Sequence, residues 1–230
     1  MPTNTLVEKL MEDRQLPDEQ QRRLIMESQV LVPQCIPEWG YGFYQHQFHR
    51  DISIAYNKLS DDLISRLKEH ALSHRDVDFR HLLAGQIAEE YETPFDDAPE
   101  LKKELTEFLS TQVQNFLGNP PSKDFDWFGW TNIVKPGEFN PVHAHTDCIL
   151  SFILYLDIPE VIREEYRKPL TTLPSKGLIK FYSSYNSDDM TFNPKTGDFF
   201  LFTSNHRHSV GAFYSEGVER ISFAGNITKL

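Results

Sequence analysis

Four of the nine histidines lie in two short stretches of the second half of the chain. The first stretch contains His143 and His145 followed by Asp147, and the second contains His206 and His208. Alternate residues of a β-strand point to one face, so His143, His145 and Asp147 share a face if a single strand carries them all. Imidazole and carboxylate groups placed together in this way are suited to binding a divalent metal ion.

The number of ligands determines which metal chemistry is available. Two imidazoles and one carboxylate on one face of an octahedral metal leave three positions open, which is the ligand set of non-haem Fe(II) oxygenases. Two of the open positions can take a chelating 2-oxo acid, and the third can take O2. His145, Asp147 and His208 can supply such a set if a barrel brings the two stretches together.

Arg220 and Ser222 form a second candidate site. They follow His208 after a turn at Ser215-Glu216-Gly217, and the strands that carry His208 and Arg220 are predicted to pair as a hairpin. Arg220 and Ser222 share one face of their strand, where they offer a cation and a hydroxyl group. A guanidinium inside a barrel needs an anionic partner. The distal carboxylate of 2-oxoglutarate is our candidate, and a nearby acid of the chain is the alternative.

The elements that position these residues change character along the chain. Helical spacing of apolar residues predicts helices within residues 5–30, 63–71 and 101–117, and the last should end at Gly118-Asn119-Pro120-Pro121. After Pro121 the pattern changes to short strands between turns. The predicted strands span residues 126–135, 139–145, 148–157, 178–183, 198–203, 207–213 and 219–228.

Seven strands with no long helix between them predict an antiparallel barrel or sandwich. We therefore expect an α+β protein in which a mainly helical N-terminal half, residues 1–121, packs on a β-barrel formed by residues 122–230. A single composite domain over residues 1–230 is expected, because no Gly/Ser-rich linker divides the two parts.

The composition of the chain limits the kinds of molecule that it is expected to bind. The chain has 23 basic and 34 acidic residues, a net charge of −11, which opposes non-specific binding to nucleic acid. No apolar stretch has the length of a membrane helix, and the N-terminus lacks the features of a secretory signal. The two cysteines, Cys35 and Cys148, make neither a disulfide framework nor a metal-binding motif. We predict a cytoplasmic protein without nucleic-acid or membrane partners, and the oligomeric state is left open.

Three stretches of the second half carry a resemblance to a known family. They are Trp130–Pro159, Gly197–Val210 and Glu219–Asn226. The first contains H-x-H before an L-S-x-x-x-Y-L strand, the second contains G-D-x-x-L-F and then H-S-V, and the third contains R-I-S. They resemble the 2-oxoglutarate/Fe(II) oxygenases of marine bacteria and tailed phages, which are similar to prolyl hydroxylases. The resemblance covers roughly residues 60–228.

This resemblance implies a double-stranded β-helix, or jelly roll, and an oxygenase, most simply a hydroxylase, that uses Fe(II), 2-oxoglutarate and O2. Its substrate would be a small molecule or a peptide, and a phage-encoded member would act in the host cytoplasm. His208 is implied as the distal metal ligand. Arg220 and Ser222 match an Arg-x-Ser pair that holds 2-oxoglutarate. Tyr155 matches a tyrosine that reaches the same carboxylate, and Asn132 is a further candidate for the cosubstrate site.

Two sets of metal ligands remain open. If Gly137 aligns with the glycine before the first ligand of prolyl hydroxylases, His143 is that ligand and His145 takes the place of the carboxylate. The result is a three-histidine site. We favour His145, Asp147 and His208 as the metal-binding and catalytic residues, because a carboxylate neutralises one of the two charges of the iron. His143 is the alternative ligand and would otherwise lie beside the metal.

Two other functions fit the same pattern. A cupin-like three-histidine metalloenzyme would not use 2-oxoglutarate, and it would leave Arg220 and Ser222 without a cosubstrate. A non-catalytic barrel that serves as a binding or virion-assembly module would have no need of the histidines. Substrate choice is expected to lie in two inserts that could cover the mouth of the barrel, residues 36–50 and 157–177.

Overall fold

The structure is a computed structural model that describes residues 54–165, 176–183 and 189–230, with the backbone of a short strand at residues 44–45. These residues belong to a compact unit that runs from Phe43 to Leu230. The predicted helices within residues 5–30 lie outside the described part. So does the insert of residues 36–50, apart from that strand.

Seven antiparallel strands form the larger of two sheets. They are β1 (Tyr44–Gln45), β2 (Ile54–Lys58), β3 (Glu89–Glu92), β4 (Asp126–Val134), β6 (Leu150–Asp157), β9 (Asp198–Thr203) and β11 (Arg220–Lys229). Their order in the sheet is β1-β2-β9-β6-β11-β4-β3. Strand β11 pairs with β4 on one side and with β6 on the other, so it has a central position in the sheet. Alternate side chains of β11 point to opposite faces of the sheet.

Four short strands form the smaller sheet. They are β5 (Asn140–His143), β7 (Ile179–Phe181), β8 (Met190–Phe192) and β10 (His208–Val210), in the order β5-β10-β7-β8. Successive strands of the chain alternate between the two sheets at several points, which is the connectivity of a double-stranded β-helix. The predicted jelly-roll barrel is confirmed.

Two long helices precede β4. Helix α1 (Asp61–Ser73) begins at Ser60, whose Oγ accepts a hydrogen bond from the amide of Leu63 at 3.3 Å. Helix α2 (Pro99–Leu117) ends at Gly118, which has a left-handed φ of 81°. A 3-10 turn (Arg80–Leu82) and the short α3 (Glu160–Glu164) complete the helical structure of the described residues, none of which forms a helix suited to crossing a membrane.

Both long helices pack on one face of the larger sheet. Their apolar side chains share a buried core with that face of the strands, which includes Leu67, Leu105, Leu109, Phe152, Leu154, Phe199 and Phe223. The opposite face carries buried polar side chains, among them Asn132, Tyr155, Arg220 and Ser222. One face therefore stabilises the fold, and the other face is left to hold a site.

The part of the chain before Pro121 differs from the prediction. Helices α1 and α2 occur where the sequence predicts them, but β2 and β3 also join the larger sheet. This part therefore contributes strands to the barrel, and its described residues do not form a separate helical half. Strand β3 has the sequence EEYE, which lacks the apolar alternation that marks a half-buried strand.

The predicted hairpin between the strands of His208 and Arg220 is wrong. Strand β10 pairs with β5 and β7 in the smaller sheet, whereas β11 pairs with β4 and β6 in the larger one. The turn at Ser215-Glu216-Gly217 carries the chain from one sheet to the other. Strand β8 is also absent from the predicted set, and its three residues are too short a run for periodicity to detect.

Candidate metal and cosubstrate site

Three of the predicted histidines converge. His143 at the end of β5 and His208 at the start of β10 are direct partners across the ladder of the smaller sheet. His145 follows β5, and its amide donates a hydrogen bond of 2.8 Å to the carbonyl of Ser204. The three ring centroids lie 4.2 to 5.2 Å apart, and one ring nitrogen of each histidine lies within 4.8 Å of the other two.

The hydrogen bonds of these rings leave nitrogen lone pairs available for a metal. Nδ1 of His143 donates to the carbonyl of Pro141 at 2.8 Å, and Nδ1 of His208 donates to the carbonyl of His206 at 3.0 Å. Because a carbonyl can only accept, each proton is on Nδ1 and each Nε2 keeps its lone pair.

The three rings are also held in the neutral form that binds metals. Burial lowers the pKa of His143 and lowers the pKa of His208 further. Burial, together with the charge of His143, lowers the pKa of His145 to about 4. Three neutral imidazoles with this orientation are a suitable donor set for Fe(II) or a similar divalent ion.

Asp147 lies outside this group. Strand β5 ends at His143, so the alternation that would align Asp147 with His145 stops before it reaches the acid. The backbone of Asp147 is left-handed, with φ of 60°, and its side chain is exposed at the edge of the cavity described below. Among the described residues, the group that holds the three histidines contains no carboxylate.

A second group of potential metal ligands lies at the end of α1. Nε2 of His70 donates to the carbonyl of Pro94 at 2.8 Å, and Nδ1 of His74 donates to the carbonyl of His70 at 2.9 Å. Asp97 lies 3.4 Å from Nε2 of His74 and is 65% exposed. These contacts close the C-terminus of the helix, which is a common role of histidine at that position.

A row of buried polar side chains crosses the larger sheet. Glu90, Asn132, Ser222 and Tyr155 are successive neighbours on β3, β4, β11 and β6. Nδ2 of Asn132 donates to Oγ of Ser222 at 3.3 Å. In the part of the chain that the structure describes, neither Oδ1 of Asn132 nor the hydroxyl of Tyr155 has a hydrogen-bond partner. Buried polar atoms without partners are rare, and each of these two needs a polar partner such as an ordered water or a ligand.

Arg220 is a buried cation without a carboxylate partner. Its side chain is 1% exposed, and Nη1 donates to the carbonyl of Gly177 at 3.0 Å. Its Nε has no partner, and no acid forms an ion pair with Arg220 within residues 54–165, 176–183 and 189–230. Burial lowers the pKa of the guanidinium. A carboxylate ligand would neutralise this charge and satisfy its donors, so the residues present fit 2-oxoglutarate.

A cavity of about 380 Å³ adjoins the three histidines, which form part of its wall. The aromatic part of the wall consists of Phe79, Phe128, Trp130, Phe152 and Phe202. Asn132 also lines the cavity, whereas Ser222, Tyr155 and Arg220 do not. Since Asn132 is hydrogen-bonded to Ser222, the polar row continues from the cavity wall into the interior of the barrel.

Glu90 is a residue of this cavity that sequence reasoning did not identify. Its carboxyl group is 1% exposed and lines the cavity. Burial raises its pKa to about 7. Nothing in the sequence separates Glu90 from its neighbours Glu89 and Glu92, and only the pairing of Glu90 with Asn132 places it in the polar row.

The insert predicted at residues 157–177 packs on the barrel where it is described. Ile162 of α3 is buried, and the carboxylate of Glu165 accepts hydrogen bonds from the amides of Tyr214 and Ser215 at 2.6 to 3.1 Å. Residues 166–175 lie outside the described part, so the role of this segment as a lid stays a prediction.

The fold and the site together define a class of protein. A double-stranded β-helix that gathers neutral histidines and encloses an unpaired arginine is built to bind a divalent metal and a carboxylate ligand. Residues 129–226 match the family described as "Putative 2OG-Fe(II) oxygenase". A comparison with curated proteins finds no match.

Solved structures share the fold. A Pseudomonas putida prolyl-4-hydroxylase is 16% identical over 77% of this chain and 92% of its own, with a TM-score of 0.52. A Trichoplax adhaerens prolyl hydroxylase, solved with a hypoxia inducible factor peptide fragment, is 14% identical over 94% of each chain, with a TM-score of 0.51. The carbocyclase SnoK from nogalamycin biosynthesis is 11% identical over 79% of this chain and 81% of its own, with a TM-score of 0.54.

The structural similarity establishes the fold, and the family match identifies the chemistry. The match to the 2OG-Fe(II) oxygenase family covers residues 129–226, which contain all three histidines and Arg220. The protein is a 2-oxoglutarate- and Fe(II)-dependent oxygenase, and its reaction consumes O2.

Proposed function

We propose that the iron is held by His143, His145 and His208, in place of the set that includes Asp147. The observation that carries this proposal is the convergence of three neutral rings, two of which keep Nε2 free by donating from Nδ1 to carbonyl groups. The exposed position of Asp147 beyond the end of β5 supports the same choice.

The proposal assigns the far carboxylate of 2-oxoglutarate to Arg220 and Ser222. It is supported by the unpaired, buried guanidinium and by the position of both residues on the inner face of β11. Tyr155, whose hydroxyl has no partner within the described residues, is proposed to donate to the same carboxylate. Asn132 is proposed to hold Ser222 in place through its hydrogen bond.

The reaction proposed is the hydroxylation of a small molecule or a peptide. Fe(II) with 2-oxoglutarate supplies the oxidising chemistry: O2 and 2-oxoglutarate give succinate and CO2, with one oxygen atom in succinate and the other inserted into a C–H bond of the substrate. The protein's own contribution is to fix the ligand set and the carboxylate and to keep water away from them. Phe181 and Phe202, whose rings lie 5.9 and 4.6 Å from that of His208, provide part of this apolar surrounding.

Succinate formation from 2-oxoglutarate tests the proposal without knowledge of the substrate. Purified protein with Fe(II) under air should form succinate slowly, and neither the His143→Ala nor the His208→Ala variant should form it. Arg207→Gln is the matched control, because Arg207 is exposed and adjacent to His208. Succinate formation that survives in His143→Ala but is lost in Asp147→Ala would favour the other ligand set.

A three-histidine site is also the donor set of the cupin-like alternative, which would not use 2-oxoglutarate. The same assay separates the two, because the alternative predicts an iron-dependent activity that is indifferent to 2-oxoglutarate. The unpaired Arg220 supports the 2-oxoglutarate reading, since the alternative leaves this buried cation without a ligand.

Three finer predictions from the sequence accompany the proposal. They are helices within residues 5–30, a single composite domain over residues 1–230, and a cytoplasmic location. Limited proteolysis of the full chain tests the domain prediction, since one composite domain should yield no stable fragment that lacks only residues 1–53.

A further inference from the structure

The carboxyl group of Glu90 has no hydrogen-bond or ion-pair partner among the described residues. Its side chain is 1% exposed, and Oε2 is fully enclosed without a hydrogen bond from any residue that the structure describes. The charge of Arg80 acts on Glu90, but the guanidinium of Arg80 binds Asp78 through Nε and Nη2 at 2.5 to 3.1 Å. Glu90 is therefore a buried acid without a paired cation among the described residues, and a buried carboxylate in this state is costly.

Oxygen atoms converge around this carboxyl group. Both carboxyl oxygens of Glu90 and Oδ1 of Asn140 lie 2.6 to 2.9 Å from the position that a Cβ atom on Gly85 would occupy. The lack of a side chain at Gly85 lets these three oxygen atoms pack against its backbone. Three acceptors gathered in this way are complementary to a group that carries several donors.

Aromatic rings form the wall next to these oxygens. Phe79 stacks on Trp130 with centroids 5.7 Å apart, and Phe128 lies 6.1 Å from Trp130. All three rings line the same cavity as Glu90. The faces of aromatic rings, and of tryptophan above all, attract cations, and this attraction is stronger where water is excluded.

The same cavity connects this corner to the metal site. The ring of Trp130 lies 6.0 Å from that of His145, and the histidines and Glu90 are part of one wall. A substrate anchored at Glu90 would therefore extend along Trp130 toward the three histidines.

We propose that Glu90, Asn140 and the wall of Phe79, Phe128 and Trp130 form a subsite for a cationic group of the substrate, an ammonium or guanidinium carried by a small molecule or a peptide side chain. The assignment of this subsite to the substrate rests on the proposed function. The alternative is that Glu90 stays protonated, and therefore uncharged, and takes no part in binding.

A pair of probes that differ in charge but not in shape tests the subsite. We suggest n-butylguanidinium and its neutral counterpart n-butylurea, titrated by saturation-transfer NMR into the full chain loaded with Zn(II) and 2-oxoglutarate. A hydrogen-bonded charge pair should favour the guanidinium probe by about tenfold or more in Kd. Equal Kd values for the two probes would overturn the proposal.

Two variants and one control make the test specific. Glu90→Gln should remove the preference for charge, and Gly85→Ala should weaken guanidinium binding because its methyl group would displace the oxygen atoms of Glu90 and Asn140. Glu92→Gln should keep the preference, since Glu92 lies on the same strand but is exposed. A preference that survives in both Glu90→Gln and Gly85→Ala would show that the cation binds elsewhere.

Basal succinate formation by the same wild-type preparation separates this inference from the proposed function. Succinate without a charge preference would overturn the subsite and leave the oxygenase intact. A charge preference without succinate would support the binding site and count against the proposed chemistry.

Discussion

At the scale of single residues, the position of one carboxylate supports the choice between the two proposed ligand sets. Alternation along a strand predicts His143 and His145 on the same side, and the structure brings both rings together with His208, although β5 ends at His143 and His145 lies beyond it. The same reasoning fails for Asp147, because it requires β5 to continue four residues beyond His143, where the strand ends. Strand ends are set by tertiary pairing, here with β10, and the local sequence does not encode them.

Substitution of the two competing ligands should separate their roles. We expect His143→Ala to weaken Mn(II) binding by more than about 100-fold, because it removes one of three protein ligands. Asp147→Ala should leave the affinity unchanged. Isothermal titration of Mn(II) into each variant measures both effects, and the opposite ranking would restore the set of His145, Asp147 and His208.

The orientation of Arg220 was predictable from the sequence, but its lack of an acidic partner among the described residues was not. Alternation on β11 places Arg220 and Ser222 on one face, as the structure has them. The absence of an acidic partner could not be predicted, because Glu216 and Glu219 are close in sequence and only the fold keeps them from pairing with Arg220.

Removal of the guanidinium should affect the cosubstrate and not the metal. We expect Arg220→Met to raise the KM for 2-oxoglutarate by at least about 30-fold, since it removes one partner of a buried charge pair. Mn(II) affinity should stay at the wild-type value, which also serves as the control for folding. An unchanged KM would show that the carboxylate of 2-oxoglutarate binds elsewhere.

Glu90 should make stability depend on pH. Its pKa is raised from 4.5 to about 7, so between these values the folded protein holds a proton that the unfolded chain has lost. Its contribution to stability is therefore fully present below pH 4.5 and decreases as the pH rises to about 7. Arg80 opposes the shift, while Glu138 and Asp78 increase it.

The variant Glu90→Gln removes this dependence. We expect its Tm to exceed that of the wild type by a few degrees at pH 8 and by less at pH 5, given that 1 kcal/mol corresponds to about 2–4 °C in a domain of this size. Thermal unfolding of both proteins across pH 5 to 8 gives the difference directly. A difference that does not grow with pH would mean that Glu90 ionises normally.

At the scale of elements, all seven strands predicted after Pro121 occur, whereas β1, β2, β3 and β8 were not predicted. Strands β4, β6, β9 and β11 are buried on both faces for most of their length, and β6 and β9 have continuous apolar runs. Strand β3 has three glutamates in four residues, and it is a strand because β4 offers an edge with which it can pair. The partner of a strand is a tertiary property, which is also why the hairpin of β10 with β11 was wrongly predicted.

The packing around Gly225, near the centre of β11, leaves no room for a side chain. A Cβ atom on Gly225 would lie 2.5 Å from the carbonyl oxygen of Phe128 and 2.5 Å from the ring of Phe152. We expect Gly225→Ala to lower the free energy of unfolding by about 1–3 kcal/mol through overpacking. Lys229→Ala, at the exposed end of the same strand, should change it by less than about 0.5 kcal/mol. Urea unfolding of the two variants tests this, and equal stabilities would contradict the close packing of β11 against β4 and β6.

At the scale of the whole molecule, the residues proposed to bind the metal and those proposed to bind the far carboxylate of 2-oxoglutarate lie in different parts of the barrel. Two of the histidines proposed as metal ligands lie on β5 and β10 of the smaller sheet, whereas Arg220, Ser222, Tyr155 and Asn132 lie on the larger sheet. Since 2-oxoglutarate would chelate the metal at one end and bind Arg220 at the other, it would connect both sheets across the barrel. The cavity wall includes the three histidines and Asn132 of the larger sheet, and Arg220 lies beyond this wall.

A crystal structure of the protein with Mn(II) and 2-oxoglutarate tests this account most directly, with the metal located by anomalous scattering. We predict one strong anomalous peak within bonding distance of Nε2 of His143, Nε2 of His208 and a ring nitrogen of His145, and a 2-oxoglutarate carboxylate on the guanidinium of Arg220. A peak coordinated by the carboxylate of Asp147, or an Arg220 that stays without a carboxylate partner at saturating 2-oxoglutarate, would contradict it.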